Sequence, residues 1–364
     1  MIKSFTRLTF ISNLNQCPKR FSSYLLQYKE HGDPPKVLTK EKIEPQTLQI
    51  KDNQLLIKML AAPINPADIN MIQGTYAITP PLPAVGGNEG VGKVVKAGAN
   101  ATLKEGSWVI PKSAGVGTWR TDWVCTDSEV IEIPSGLDIK MAATIAVNPC
   151  TAYRMLSDFV ELSPGDCVIQ NGANSGVGQA VIQLARHHFK VKTINVVRSR
   201  PNLSQLVTQL KDLGADYVVT DENLRGPEMK EILNQVPKPR LALNCVGGKS
   251  TTDLFRHMAH SGCMVTYGGM SKQPLTVPTG VMIFKNIAVR GFWMTEWSKN
   301  HMDHPLRATM LTDLYHLALQ GHLQPPITTL VPFDKYMEAV EATMTPYSNS
   351  KQILVMDPEC LKQN

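Results

Sequence analysis

The sequence has no stretch of 18 apolar residues free of charge, which excludes a transmembrane helix. Its seven cysteines, Cys17, Cys125, Cys150, Cys167, Cys245, Cys263 and Cys360, include no C-x-x-C pair. An odd, scattered set is no disulfide framework and supplies no tetrathiolate zinc site. It fits a reducing compartment, with thiols acting as small buried hydrophobes. The 25 Gly and 25 Pro follow no triplet period, so a collagen-like chain is excluded. Charged residues make up only 19% against 43% hydrophobic, a balance that buries a core and excludes a largely disordered chain. A basic stripe is missing too. The net charge is +6, but Lys3, Arg7, Lys19 and Arg20 all precede the first acid, Glu30, and without those four the remainder carries +2. Nucleic acid is therefore not an expected partner.

What is present divides by composition. Residues 1–23 contain no Asp or Glu, are rich in Ser and Thr, and place Phe5, Leu8, Ile11 and Leu14 at helical spacing opposite the basic residues. That is the pattern of a mitochondrial transit peptide, and it is set apart from the fold. A chain of 364 residues then favours two domains. As far as Val147, Gly and Pro punctuate short β-rich runs: Gln54–Leu60, Gly92–Lys96, Ser107–Pro111 and Val130–Ile133. From Pro149 to Trp297, apolar runs alternate with amphipathic helical stretches, the mark of βαβ units. Strands are predicted at Cys167–Gln170, Thr193–Val197, Tyr217–Thr220, Leu241–Cys245, Cys263–Tyr267 and Ile287–Phe292. Six of them match a doubly wound parallel α/β sheet. Beyond lie a helical stretch near Leu306–Gln320, a strand at Thr328–Pro332, a helix at Tyr336–Met344 and a strand at Gln352–Met356. The expected division is 24–150, completed by 298–364, for a mostly β domain, and 151–297 for a nucleotide domain.

The most informative stretch runs Cys167-Val-Ile-Gln-Asn-Gly172-Ala-Asn-Ser-Gly176-Val-Gly178, from a strand through a glycine turn into a helix whose apolar stripe is Val177, Ala180, Val181 and Leu184. Glycines let the backbone approach a pyrophosphate, whose charge then rests at a helix N-terminus. Asn174, Ser175, Gly176, Val177 and Gly178 are the expected contacts. A tight turn without a ligand could share this spacing; the strand–turn–helix–strand context favours a dinucleotide. The second strand ends in Arg198-Ser199-Arg200, with no acid before Asp212. A carboxylate there would bind the ribose hydroxyl of NADH and repel a 2′-phosphate, which arginine instead grips. NADPH is therefore the expected cofactor, against the alternative of two solvated arginines in a loop.

Several longer motifs then resemble the medium-chain dehydrogenase/reductase superfamily, and within it the mitochondrial 2-enoyl thioester (trans-2-enoyl-CoA) reductases. They are Ala61–Tyr76, Gly86-Gly-Asn-Glu-Gly-Val91, Gly117-Thr-Trp-Arg120, Asn148-Pro-Cys-Thr-Ala-Tyr153, Leu243–Ser250, Tyr267-Gly-Gly-Met270 and Arg290-Gly-Phe-Trp293. Together they span nearly everything after the leader. The resemblance implies a Rossmann domain plus a GroES-like catalytic domain. Alcohol dehydrogenases of the superfamily carry a zinc-binding His where this chain has Asn88, a poor zinc ligand, so no metal is expected.

The resemblance also implies the chemistry. NADPH gives hydride to the β-carbon of an enoyl thioester and the α-carbon takes a proton. Tyr76 is the implied proton donor. Asn148, Tyr267, Gly268, Gly269, Met270, Phe292, Trp293, Met294, Thr295 and Lys351 are the implied cofactor contacts, beside Arg198, Ser199 and Arg200. The substrate implied is an enoyl-CoA or enoyl-acyl carrier protein, at the last step of each elongation round of fatty acid synthesis in the mitochondrial matrix. A homodimer is implied, with Ile287–Phe292 at its edge. Two alternatives stay open: a quinone oxidoreductase of the same superfamily, and a non-catalytic NADPH-binding partner protein.

Overall fold

The computed structural model describes residues 22–345 and 350–362. The expected leader, with Cys17, lies outside them except for Ser22 and Ser23.

Sixteen strands follow one another among these residues. The first eight are β1 (Tyr24–Tyr28), β2 (Leu38–Lys42), β3 (Gln54–Pro63), β4 (Ala84–Val85), β5 (Val91–Ala97), β6 (Trp108–Pro111), β7 (Asp122–Thr126) and β8 (Val130–Ile133). Next come β9 (Cys167–Asn171), β10 (Lys192–Val197), β11 (Tyr217–Thr220), β12 (Leu241–Asn244), β13 (Cys263–Thr266) and β14 (Ala288–Gly291). The last two are β15 (Thr328–Pro332) and β16 (Lys351–Val355).

β9 to β14 form one sheet in the order β11-β10-β9-β12-β13-β14, parallel throughout. Helices follow most of its strands, so both faces are covered and the strands read as unbroken apolar runs. The strand order reverses between β9 and β12. A crevice opens at such a switch point, beyond the carboxyl ends of the strands.

The first half builds a mostly antiparallel sheet, β15-β16-β3-β5-β6-β8, with β7 also paired to β3. A small sheet, β2-β1-β4, lies beside it. The chain leaves the larger sheet after β8 and returns to it at β15. There β16 pairs antiparallel with β3, Ile353 opposite Pro63 and Val355 opposite Ala61. One apolar core runs through both halves, joining Leu60, Val91 and Ile353 to Val168, Val181 and Leu243.

Two helices stand within the stretch expected to be β-rich, Pro66–Ile72 and Ile139–Thr144, and a third, Asn148–Asp158, opens the stretch of alternating strands and helices. Pro149 sits in the first turn of that third helix, where Pro loses no hydrogen bond. His187 and His188 lie at a helix end, His188 exposed and His187 half-buried, and both also make ring contacts. His187 stacks on His322 at 4.7 Å between centroids, and His188 lies 5.2 Å from Tyr153. The six cysteines among the described residues are free and buried.

Trp119 fixes the loop that leads to Asn88 and Glu89. Its indole is fully buried and donates to the Pro63 carbonyl at 3.2 Å. Gly86 passes so close that a β-carbon there would lie 2.4 Å from the ring. A Gly86→Ala change should overpack this contact and destabilise the fold by about 1–3 kcal/mol. The urea midpoint checks it; an unchanged midpoint would show that the loop yields freely.

Candidate active site

A cleft of about 490 Å³ opens where the two halves meet. Of the expected cofactor residues it is lined by Asn174, Ser175, Gly176, Arg198, Arg200, Met270 and Lys351. The sequence motifs thus converge from the turn after β9, the end of β10, the turn after β13 and the start of β16. Ser175 caps the helix Gly176–Leu184, accepting from the Gly178 N–H at 3.1 Å. The first-turn N–H groups of such a helix have no intrahelical acceptor, and Ser175 and Gly176 at its start line the cleft.

Other expected residues lie near the cleft without lining it. Val177 packs on the core, Gly178 is buried within the helix, and Ser199 is exposed. Tyr267 packs against the core while Gly268, Gly269 and Met270 carry the chain outward, leaving Met270 65% exposed. Phe292 packs edge-on against Phe159, with ring centroids 5.8 Å apart. Met294 is buried in the core. Asn148 is buried, and its Nδ2 has no hydrogen-bond partner among the described residues. That atom would stand 2.8 Å from a β-carbon placed on Gly176.

The structure also supplies groups that the sequence reading did not single out. Asp221, at the end of β11, shares the cleft wall with the arginines. Behind the cleft sit two acids, Asp68 and Glu89, each 1% exposed. Asp68 accepts from the Asn65 N–H at 2.7 Å and from Asn88 Nδ2 at 2.6 Å. Glu89 accepts from Asn65 Nδ2 at 3.0 Å and from the Val147 N–H at 2.7 Å. Lys351 donates to Asn65 Oδ1 at 2.5 Å. Burial pushes the Glu89 carboxyl up to about 7 and the Asp68 carboxyl up to about 6, against the pull of Lys351 and the donors. The same burial lowers Lys351 from its ordinary value, partly offset by the two acids. Both acids lay inside quoted motifs, but burial of a carboxylate is a property of the fold and leaves no mark on local spacing.

Tyr76 and Trp293, 217 positions apart, meet across the two halves. The Trp293 indole N–H donates to the Tyr76 oxygen at 2.8 Å, and the rings lie edge to face with centroids 6.0 Å apart. Burial raises the phenol above its ordinary value of 10.0, against the pull of bonds from Trp293 and Thr295. Indole is a donor only, so the phenol oxygen accepts from it and the phenol proton stays available to a third group.

A doubly wound parallel sheet with a glycine turn, joined across a cleft to a GroES-like β domain, defines a two-domain medium-chain dehydrogenase/reductase. Two family models match: the alcohol dehydrogenase GroES-like domain over residues 51–135, and the zinc-binding dehydrogenase over residues 176–307. The mitochondrial enoyl-[acyl-carrier-protein] reductase of Mus musculus is 55% identical over 91% of this chain and 88% of its own. The solved mitochondrial 2-enoyl thioester reductase heterodimer from Candida tropicalis superposes with a TM-score of 0.85 at 36% identity, covering 92% of this chain and 100% of that one. The solved Etr1p/NADP/crotonyl-CoA complex gives 0.85 at 37%, with the same coverage. The chain belongs to the family of mitochondrial enoyl-[acyl-carrier-protein] reductases.

The zinc in the name of the second model does not fit the residues here. Asn88 stands at the ligand position, its amide nitrogen donating to Asp68 and its oxygen accepting from the Gly115 N–H at 2.7 Å. Among the described residues no three His, Cys, Asp or Glu side chains group to hold a metal ion.

The acid pair has a consequence for stability. A carboxyl whose folded pKa is raised takes up a proton on folding, so stability falls as pH rises from the ordinary value to the folded one. For Asp68 that window runs from 3.8 to about 6, and for Glu89 from 4.5 to about 7. Between about pH 6 and about pH 7 the fall belongs to Glu89. The Glu89 contribution to urea midpoints should decline across that interval in the wild type and be lost in Glu89→Gln, whose slope should be more positive because His187 and His257, lowered on folding, remain; parallel slopes would place the titration elsewhere.

Proposed function

We propose that this chain reduces trans-2-enoyl thioesters to saturated acyl thioesters with NADPH, at the end of each elongation round of mitochondrial fatty acid synthesis. The observation that carries the reading is the Tyr76 hydroxyl, protonated at neutral pH and held by Trp293 across the junction of the two halves.

The residues fit the cofactor. Asn148 Nδ2 is a buried donor without a partner among the described residues, and the bare α-carbon of Gly176 leaves a gap beside it that a β-carbon would fill. Arg198 and Arg200 line the cleft at the end of β10, placed for a 2′-phosphate, with the helix start at Gly176 placed for the pyrophosphate. Tyr267, Gly268, Gly269, Met270 and the run Phe292–Thr295 would hold the nicotinamide end of the cofactor, and Lys351 reaches the cleft from β16. Of these, Phe292 and Met294 act through packing, since their side chains face the core. NADPH, when bound, supplies a hydride to the β-carbon of the enoyl group.

The protein's own part is the proton. Tyr76 keeps its proton because burial disfavours the phenolate. Trp293 fixes the oxygen and, by occupying it as a donor, leaves the O–H aimed at another acceptor, here the α-carbon where negative charge collects. Trp293 and Thr295 then favour the phenolate that remains, until solvent returns the proton.

The matrix location rests on the basic, acid-free leader. The domain division rests on the change of pattern near Pro149 and Trp297. A homodimer is supported by the exposed edge of the parallel sheet at β14. Next to it the helix Thr279–Lys285 presents Met282, Ile283 and Phe284, which are 48%, 66% and 78% exposed. Apolar surface of this kind on a sheet edge invites a second copy. Among the described residues no helix is long and apolar enough to cross a membrane.

Tyr76→Phe separates this reading from quinone reduction, which needs no proton on carbon. The change should lower kcat for an enoyl thioester by about 10²–10⁴-fold and leave turnover of a simple quinone near the wild-type rate. Equal retention of both activities would remove Tyr76 from the chemistry.

A further inference from the structure

Four segments far apart in the chain meet behind the cleft: Asn65 before the helix Pro66–Ile72, Glu89 before β5, Val147 before the helix Asn148–Asp158, and Lys351 at the start of β16. Their polar atoms form one continuous path. Lys351 donates to Asn65 Oδ1 at 2.5 Å, Asn65 Nδ2 donates to Glu89 Oε2 at 3.0 Å, and Glu89 Oε1 accepts from the Val147 N–H at 2.7 Å. Chemistry sets the direction of every bond. Lysine is a donor only and an ionised carboxylate an acceptor only, so the amide between them has a single productive orientation.

The two ends of the path reach the same place. A β-carbon on Gly176 would stand 2.8 Å from Asn148 Nδ2 and 3.4 Å from Lys351 Cε. Asn148 Nδ2 itself has no partner among the described residues.

We propose that Glu89 is a positioning residue of the cofactor site. Through Asn65 it holds the Lys351 ammonium, and through the Val147 N–H it holds the start of the helix that carries Asn148, so that both groups flank Gly176 in fixed positions. The inference rests on the NADPH reading given above. Glu89 itself touches no cofactor; it acts through its two arms. Other ionisable groups around it are Asp68, on the helix that follows Asn65, and Cys150, on the helix that follows Val147, while Tyr76 senses Asp68. Asp68 is occupied by the Asn65 N–H and by Asn88, and so steadies the amide without contacting Lys351 through a hydrogen bond.

A group that only fills its place in the fold would act differently from one that sets two ligand contacts. Glu89→Gln keeps the shape but offers one acceptor oxygen to two donors and removes the charge opposite Lys351. NADPH affinity is read by tryptophan fluorescence in the full-length wild type, Glu89→Gln, Lys351→Met and the double variant. Glu89→Gln should weaken binding by about tenfold or more. The double variant should bind about as weakly as the weaker single one, because each change breaks the same path.

Wild-type affinity in Glu89→Gln, or losses that multiply in the double variant, would overturn the proposal. Absence of NADPH binding by the wild type would instead overturn the cofactor reading on which it rests. Should Glu89→Gln fail to fold, Asn65→Ala cuts the path to Lys351 and leaves the Val147 bond. The same non-additivity with Lys351→Met is then expected, and independent losses would again overturn the proposal.

Discussion

The pairing of the last strand with β3 is the interaction on which the rest depends. The chain builds most of one sheet, leaves it to build a second, and comes back to insert β16 between β15 and β3. That return staples the carboxyl end of the chain to its amino-terminal half. It also leaves a seam between the two sheets at the carboxyl ends of the parallel strands, where an open α/β sheet binds its ligands. Lys351 is the first residue of the returning strand and therefore arrives at the seam, 286 positions from the Asn65 side chain it meets. Without this closure the glycine turn after β9 would face solvent, and the acids behind the cleft would lose their cation.

The same seam brings polar groups into a place poor in water. Buried acids, an amide with one permitted orientation and an asparagine with an unused donor are costly unless something answers them. The acids are answered within the chain, by Asn65, Asn88, Val147 and Lys351. Asn148 Nδ2 has no partner among the described residues and stands beside Gly176 at the cleft. At Tyr76 a donor-only indole satisfies the phenol oxygen and leaves its proton free for another acceptor.

Much of this fold was legible in the sequence where burial leaves a pattern. The six strands of the parallel sheet lie on both-face-covered runs such as Cys167-Val-Ile-Gln and Leu241-Ala-Leu-Asn, and their ends agree with the sequence reading to within one or two residues. The terminal pieces β15, β16 and the helix Tyr336–Met344 were equally plain. Strands β1, β2 and β7 were not, because Tyr24–Tyr28, Leu38–Lys42 and Asp122–Thr126 mix polar residues into short runs held by their pairing, β1 with β2 and β7 with the distant β3. The glycine turn after β9 and the arginines at the end of β10, which share the cleft wall, were readable because each lies on one contiguous stretch of chain. The Tyr76–Trp293 contact and the Glu89 path were not, since each is a meeting of segments that only the closed seam creates. Family resemblance pointed to Tyr76; burial keeps its proton, against the pull of the bond from Trp293.

The most direct measurement is steady-state oxidation of NADPH by the purified wild-type chain with trans-2-hexenoyl-CoA, run beside a simple quinone and with NADH in parallel. The account predicts fast turnover of the enoyl thioester with NADPH, little with NADH and little of the quinone. Turnover of the quinone without the enoyl thioester would contradict it and leave the Tyr76 hydroxyl without a task.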